Sequence, residues 1–201
     1  YSIKSSGVPG TVAGLLHAHK SYGSLSIERV LSPAIKLARD GFKVSLDLSS
    51  SLTSRYERLS SNPASRNYFF KPNGEFYQPG EELIQQDLAN TLERISEYGR
   101  AGFYEGKTAK LIVDEMKNSG GLITLDDLRN YRVVTREPVC GDFHGNTICA
   151  MPPPSSGGVH LIQMLNILEG WNLRSLGHNS AAYIHRLAEA MRRAYADRSI
   201  Y

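Results

Sequence analysis

Ser155 and Ser156 stand five and four residues ahead of His160. A serine hydroxyl and an imidazole are the pair that nucleophilic catalysis needs, provided that the base reaches the hydroxyl. At this spacing the chain would have to fold back on itself, and nothing in the sequence forces that. The Gly-x-Ser-x-Gly pattern of a nucleophile elbow is also absent. The same stretch offers a second chemistry. Met151-Pro152-Pro153-Pro154-Ser155-Ser156-Gly157-Gly158 leads from alternating residues into a helix-periodic run, Val159 to Glu169. Ser155 or Ser156 can cap that helix, and Gly157 and Gly158 let a ligand or another backbone come close. Such a helix start can hold an anion or line a substrate pocket. The plain alternative is a rigid loop that only orders a core helix.

The other chemical groups are weaker candidates. His17 and His19 point about 200° apart on a helix and cannot share a metal. His178 and His185 lack an obvious third ligand, so no metal site is expected. Asp114 with Glu115, and Asp126 with Asp127, are adjacent carboxylates. The first pair lies on a polar helix face, and the second begins a helix. Asp197-Arg198 reads either as a local surface pair or as a bridge to another part of the protein. Cys140 and Cys149 are the only cysteines, too few for a disulfide scaffold or a structural zinc site. A two-residue turn at His144-Gly145 would place them opposite each other at a non-hydrogen-bonded pair, Cα atoms about 4.5 Å apart. That geometry permits a disulfide under oxidising conditions.

The elements that must position these groups follow from spacing. Pro9 suits the first position of a helix running to Gly23. Ser26 to Arg39 has helical spacing, and Ser32-Pro33 predicts two short helices or a kink. Leu46 to Leu59 is Ser-rich and moderately helical. Asn62 to Gly80 reads as an irregular crossing with tight turns, pinned by Phe69, Phe70, Phe76 and Tyr77. Leu83 to Tyr98 and Lys107 to Lys117 are helices on either side of a loop at Gly102 to Gly106. Thr124 opens a further helix with a capping-box pattern, Ile123 and Leu128 forming its staple. Tyr131 to Ala150 is β-rich. Val159 to Leu168 should be a core helix with one polar stripe at His160, Gln163, Asn166 and Glu169. Gly170 to Gly177 is a loop, and Asn179 or Ser180 caps a last helix with an apolar stripe.

With 201 residues, 41% hydrophobic and 21% charged, the chain has the composition of a globular protein. Its net charge is +3, with no basic stripe, so nucleic acid is not an expected partner. No apolar run reaches the roughly 18–20 residues of a membrane span. Tyr1-Ser2-Ile3-Lys4 lacks the apolar core of a signal peptide. Both ends look cut from something longer.

Six phrases in order resemble the γ-glutamyltranspeptidase family. They are Ser6-Gly7-Val8-Pro9-Gly10-Thr11-Val12-Ala13-Gly14, Tyr22-Gly23, Pro33 to Phe42, Gly120 to Thr124 with Asp127-Leu128, Met151 to Gly158, and Tyr195-Ala196-Asp197-Arg198-Ser199. The resemblance covers the middle of that family's large chain, from residue 1 to 201, incomplete at both ends. It implies an α+β, helix-rich fragment of an N-terminal-nucleophile hydrolase αββα sandwich, with one β-hairpin near 132–151. It implies a proenzyme that cleaves itself and transfers the γ-glutamyl group of glutathione to water or to an amino acid or peptide. The nucleophile would be the N-terminal Thr of a small chain, the principal partner, which is not present here. The family's substrate-binding arginine lies upstream of the matched part and its oxyanion hole downstream. No catalytic residue is therefore expected in this chain, and no cofactor or metal. Ser155, Ser156, Gly157 and Gly158 are candidate walls of the substrate pocket. The implied location is periplasmic or extracellular, and the fragment alone should be inactive and tend to self-associate. Two other classes fit the residues: a non-catalytic anion- or substrate-binding module, and a paralogue that kept the fold and lost activity.

Overall fold

A computed structural model describes residues 2–200; Tyr1 and Tyr201 lie outside them. The chain forms two compact units that meet in sequence at Val133 and Val134.

The first unit is helical. α1 (Thr11–Tyr22) and α2 (Ile27–Asp40) are followed by β1 (Phe42–Lys43), α3 (Leu46–Ser54), α4 (Tyr56–Ser60) and α5 (Pro63–Phe69). Then come β2 (Glu82–Leu83), α6 (Gln86–Tyr98), α7 (Ala101–Tyr104), α8 (Gly106–Asn118) and α9 (Leu125–Asn130). β1 and β2 pair antiparallel, Phe42 with Leu83 and Lys43 with Glu82. α2 packs on α6, and Arg39 forms an ion pair with Glu93 across them.

Four expectations need correction here. α1 begins at Thr11 with Gly10 as its cap, two residues beyond Pro9. The α2 helix is continuous through Pro33, so of the two alternatives the pair of short helices is corrected. Pro33 is the seventh residue of α2, so it forgoes one ladder bond, and packing against α6 outweighs that loss. The segment after Asn62 is partly ordered. Asn62 caps α5, Pro63 occupies its first turn, and irregular chain resumes only beyond Phe69. Residues 102–106 are mostly not a loop: α7 takes 102–104 and α8 starts at Gly106, leaving Glu105 as the one extended residue between them. The aromatic anchoring holds in modified form, with Tyr56, Phe70 and Phe76 in mutual edge-to-face contact.

Tyr104 anchors the core of this unit. It is 1% exposed and clusters with Ala13, Ala109, Val113, Ile123 and Leu128. Its hydroxyl donates to Pro9 O at 2.6 Å and accepts from Ala13 N–H at 3.2 Å. Burial pushes this phenol's pKa up. Tyr131 stacks on its ring, centroids 5.9 Å apart. A Cβ at Gly10 would lie 2.2 Å from the Tyr131 hydroxyl, so only glycine admits that contact. Arg100 donates to the carbonyls of Leu128, Arg129 and Tyr131 and covers the Tyr104 ring at 4.7 Å.

At α9 the Thr124 hydroxyl accepts from Asp127 N–H, and the Asp127 carboxylate accepts from Thr124 N–H at 2.8 Å. The Thr124 hydrogen bonds hold the Asp127 carboxyl below its ordinary value. A carboxyl with a depressed folded pKa stabilises above its unfolded value, and the effect is lost as pH falls through the folded one. Thr124→Ala should therefore cost about 0.5–2 kcal/mol at neutral pH, read as a fall in melting temperature. The penalty should shrink once acid has protonated Asp127.

The second unit consists of β3 (Val139–Phe143), β4 (Asn146–Ala150), α10 (Ser156–Leu168), a 3₁₀ turn at Leu173–Leu176 and α11 (Ala181–Arg198). β3 and β4 form an antiparallel hairpin in which Cys140 faces Cys149. The ladder is shorter than the expected 132–151 because it opens at Val139, directly after Pro138, which has no N–H to pair. His144 and Gly145 both have positive φ, 47° and 77°, as a type I′ turn requires. Glu169 steadies the turn by accepting from His144 N–H at 3.1 Å.

One hairpin face packs on α10. Gly141 sits over Ile162, where a Cβ would lie 2.6 Å from the Ile162 Cγ2. α10 also packs on α11, and the Gln163 amide donates to the Asp197 carboxylate. The expectation of a core helix exposed only along one polar stripe is corrected. Ile162 and Leu168 are buried, Leu165 is half-buried, and Val159 and Leu161 are 40% and 38% exposed. Within this unit the hairpin and α11 pack on α10, and part of its apolar surface, at Val159 and Leu161, stays open. Leu168→Ala should cost about 2–5 kcal/mol and Leu165→Ala less, which urea melts of the two variants would rank.

Candidate functional site

The Pro-Ser-Gly loop joins β4 to α10. The Pro153–Pro154 bond is cis, and Ser155 N–H donates to Pro152 O at 3.1 Å. Of the two capping candidates, Ser155 is the cap: its hydroxyl accepts from Gly157 N–H at 3.3 Å. Ser156 is the first residue of the helix, and its carbonyl is engaged by His160 Nδ1. The imidazole thus contacts the Ser156 backbone one helical turn back, with no hydrogen bond to either serine hydroxyl. The loop holds a cap and a closed helical turn, not a nucleophile with its base.

The two glycines differ. Gly158 is buried, and a Cβ there would lie 2.1 Å from Met151 O and 2.9 Å from Met151 C. Gly157 is exposed, and its Cβ would meet only the Ser155 hydroxyl at 3.5 Å. Gly158 therefore lets the helix start press against the strand end, and Gly157 lies on the exposed side with both serines half-buried.

Cys140 and Cys149 are joined in a disulfide with Cα atoms 4.1 Å apart, as the register of a two-residue turn requires. Both are exposed, on the hairpin face opposite α10. Asp142 and Thr147 are the next pair on that face, linked at 2.9 Å.

The remaining candidates are dispersed. His19 contacts Leu25 O at 2.8 Å, and His178 lies beside Tyr183. Asp197 binds Gln163, and Arg198 lies over the Tyr195 ring, so the local surface pair is not formed. Asp126 pairs loosely with Arg129 at 3.7 Å, and Asp127 closes the capping box. No three His, Cys, Asp or Glu among the described residues gather as a metal site, and no helix is long and apolar enough to cross a membrane. Sequence reasoning missed the Arg100–Tyr104–Tyr131 group and the Gln163–Asp197 link. Each joins residues far apart in the chain and has no local signature.

The fold is a helix-rich part of an N-terminal-nucleophile hydrolase, carrying a rigid strand-to-helix loop and a covalently closed hairpin. The chain belongs to the γ-glutamyltranspeptidase family, whose sequence profile, Gamma-glutamyltranspeptidase, matches residues 1–201. It is 44% identical over 197 residues to the glutathione hydrolase proenzyme of Escherichia coli K12, covering 98% of this chain and 34% of that protein. It is 43% identical over 197 residues to the acylase ACY 1 proenzyme of Pseudomonas sp. V22, covering 98% and 35%. The crystal structure of Helicobacter pylori γ-glutamyltranspeptidase superposes with a TM-score of 0.97 at 46% identity, covering 100% of this chain and 57% of that one. The chain thus spans about a third of the length of the curated relatives it matches.

Proposed function

We propose that this chain is the middle of the large chain of a γ-glutamyltransferase and glutathione hydrolase proenzyme, one partial domain over residues 1–201. The match to the family along its whole length carries this reading. The parent would transfer the γ-glutamyl group of glutathione to water or to an amino acid or peptide. A Thr nucleophile in the small chain would act, with its own amine as base and without cofactor or metal. This segment supplies scaffold. Ser155 and Gly157 would stand at the pocket wall as dipoles of a fixed loop, with Ser156 and Gly158 holding that loop in shape. The exposed disulfide supports a periplasmic or extracellular location, where such bonds persist. Exposed Met151, Val159 and Leu161 support docking of the remaining chain, and self-association of the fragment when that chain is missing.

Acylase is the second reading, because the acylase proenzyme matches at almost the same identity as the glutathione hydrolases. A chimera decides between them: this chain replaces its counterpart in the Helicobacter pylori relative. We expect it to cleave itself and to release a chromophore from a γ-glutamyl anilide. Self-cleavage without that turnover would overturn the proposal. Turnover of an acyl-lactam in its place would favour the acylase.

A further inference from the structure

We propose that the Cys140–Cys149 bond is a thiol-exchange site, opened and closed by low-molecular-weight thiols of the glutathione class while the protein stays folded. The choice of thiol rests on the function proposed above; the exchange itself rests on the hairpin. Three observations carry it. Both cysteines are exposed on the face turned away from α10, so an attacking thiolate reaches sulfur without the core opening. The bond crosses facing strands, Cα to Cα 4.1 Å, inside a five-pair ladder closed by the His144-Gly145 turn. The backbone ladder, Gly141 on Ile162 and Glu169 on the turn all hold the register without the sulfur bridge. After reduction the two thiols therefore stay opposite each other, ready to re-form the bond. Finally, β4 runs through Ala150 and Met151 into the loop, and the Met151 carbonyl is what Gly158 packs against. Loosening the hairpin therefore acts on the candidate pocket wall.

The chemistry balances as two exchanges. A thiolate attacks one cysteine sulfur, forming a mixed disulfide and releasing the other cysteine as a thiolate. A second thiol then attacks the mixed disulfide. The protein leaves as a dithiol, two small thiols leave as their disulfide, and the two electrons pass from the small thiols to the protein.

The test uses the full oxidised chain with reduced glutathione and, separately, dithiothreitol. Samples are quenched by alkylation and weighed by intact mass, with urea varied below the unfolding transition. We expect both cysteines to become alkylatable, at a rate independent of low urea. Cys140→Ser and Cys149→Ser should each accumulate one glutathione per chain when given oxidised glutathione. Hydrogen exchange should rise in the β3–β4 amides and at Gly158 on reduction, with α11 unchanged. Exchange that climbs with urea as global unfolding does, or occurs only in the unfolded chain, overturns the site. Reaction with dithiothreitol but not with glutathione overturns the choice of thiol. Because no step reads γ-glutamyl turnover, loss of the proposed function would leave this result standing, and the reverse also holds.

Discussion

The purified chain is expected to release no chromophore from a γ-glutamyl anilide above the buffer rate. Acyl transfer needs an activated nucleophile and donors aimed at the developing oxyanion. Here the Ser155 hydroxyl is engaged by Gly157 N–H, and His160 is turned to the Ser156 carbonyl. Neither serine has a base. Removing the nucleophile from a concerted site costs several orders of magnitude in rate, so a chain without one should sit at background. A continuous absorbance assay with a buffer blank checks this. Turnover above the blank that disappears in Ser155→Ala or Ser156→Ala would move the active site into this loop and refute the scaffold reading.

Adjacent glycines should respond with opposite sign. Gly158→Ala places a methyl 2.1 Å from the Met151 carbonyl oxygen and 3.1 Å from Ala150 C. Both are backbone atoms, so relief requires the strand end or the helix start to move. Overpacking of this kind costs about 1–3 kcal/mol and occasionally more, and contact with backbone argues for the upper end. Gly157→Ala meets only a serine hydroxyl at van der Waals distance and gains up to about 1 kcal/mol of helix propensity. Chemical denaturation of the two variants should show the first well below the parent and the second at or above it. Equal losses would mean that the Gly-Gly pair acts through backbone freedom and not through the close approach at Gly158.

Much of this architecture was legible because its signals are local. The capping box at Thr124 and Asp127, the Ser180 cap of α11 and the two-residue turn at His144-Gly145 each lie within a few residues. The hairpin pairing of Cys140 with Cys149 follows from that turn by counting along two strands. Six ordered phrases gave the family, since together they constrain nearly the whole chain.

What the sequence could not decide depended on partners distant in the chain. Continuity of α2 through Pro33 reflects its packing on α6. Helix at residues 101–104 reflects Tyr104, whose hydroxyl satisfies Pro9 and Ala13 about ninety residues away. The distinct roles of Ser155, Ser156, Gly157 and Gly158 look alike in the sequence, as small residues beside a helix start. The sequence by itself determined the family, the hairpin register and the absence of a serine elbow, because turn chemistry and short motifs act over a few bonds. Only the tertiary structure decided which glycine is a packing contact, which serine is the cap and which face of α10 stays uncovered, because close approach and burial are set by atoms that the chain brings together only on folding.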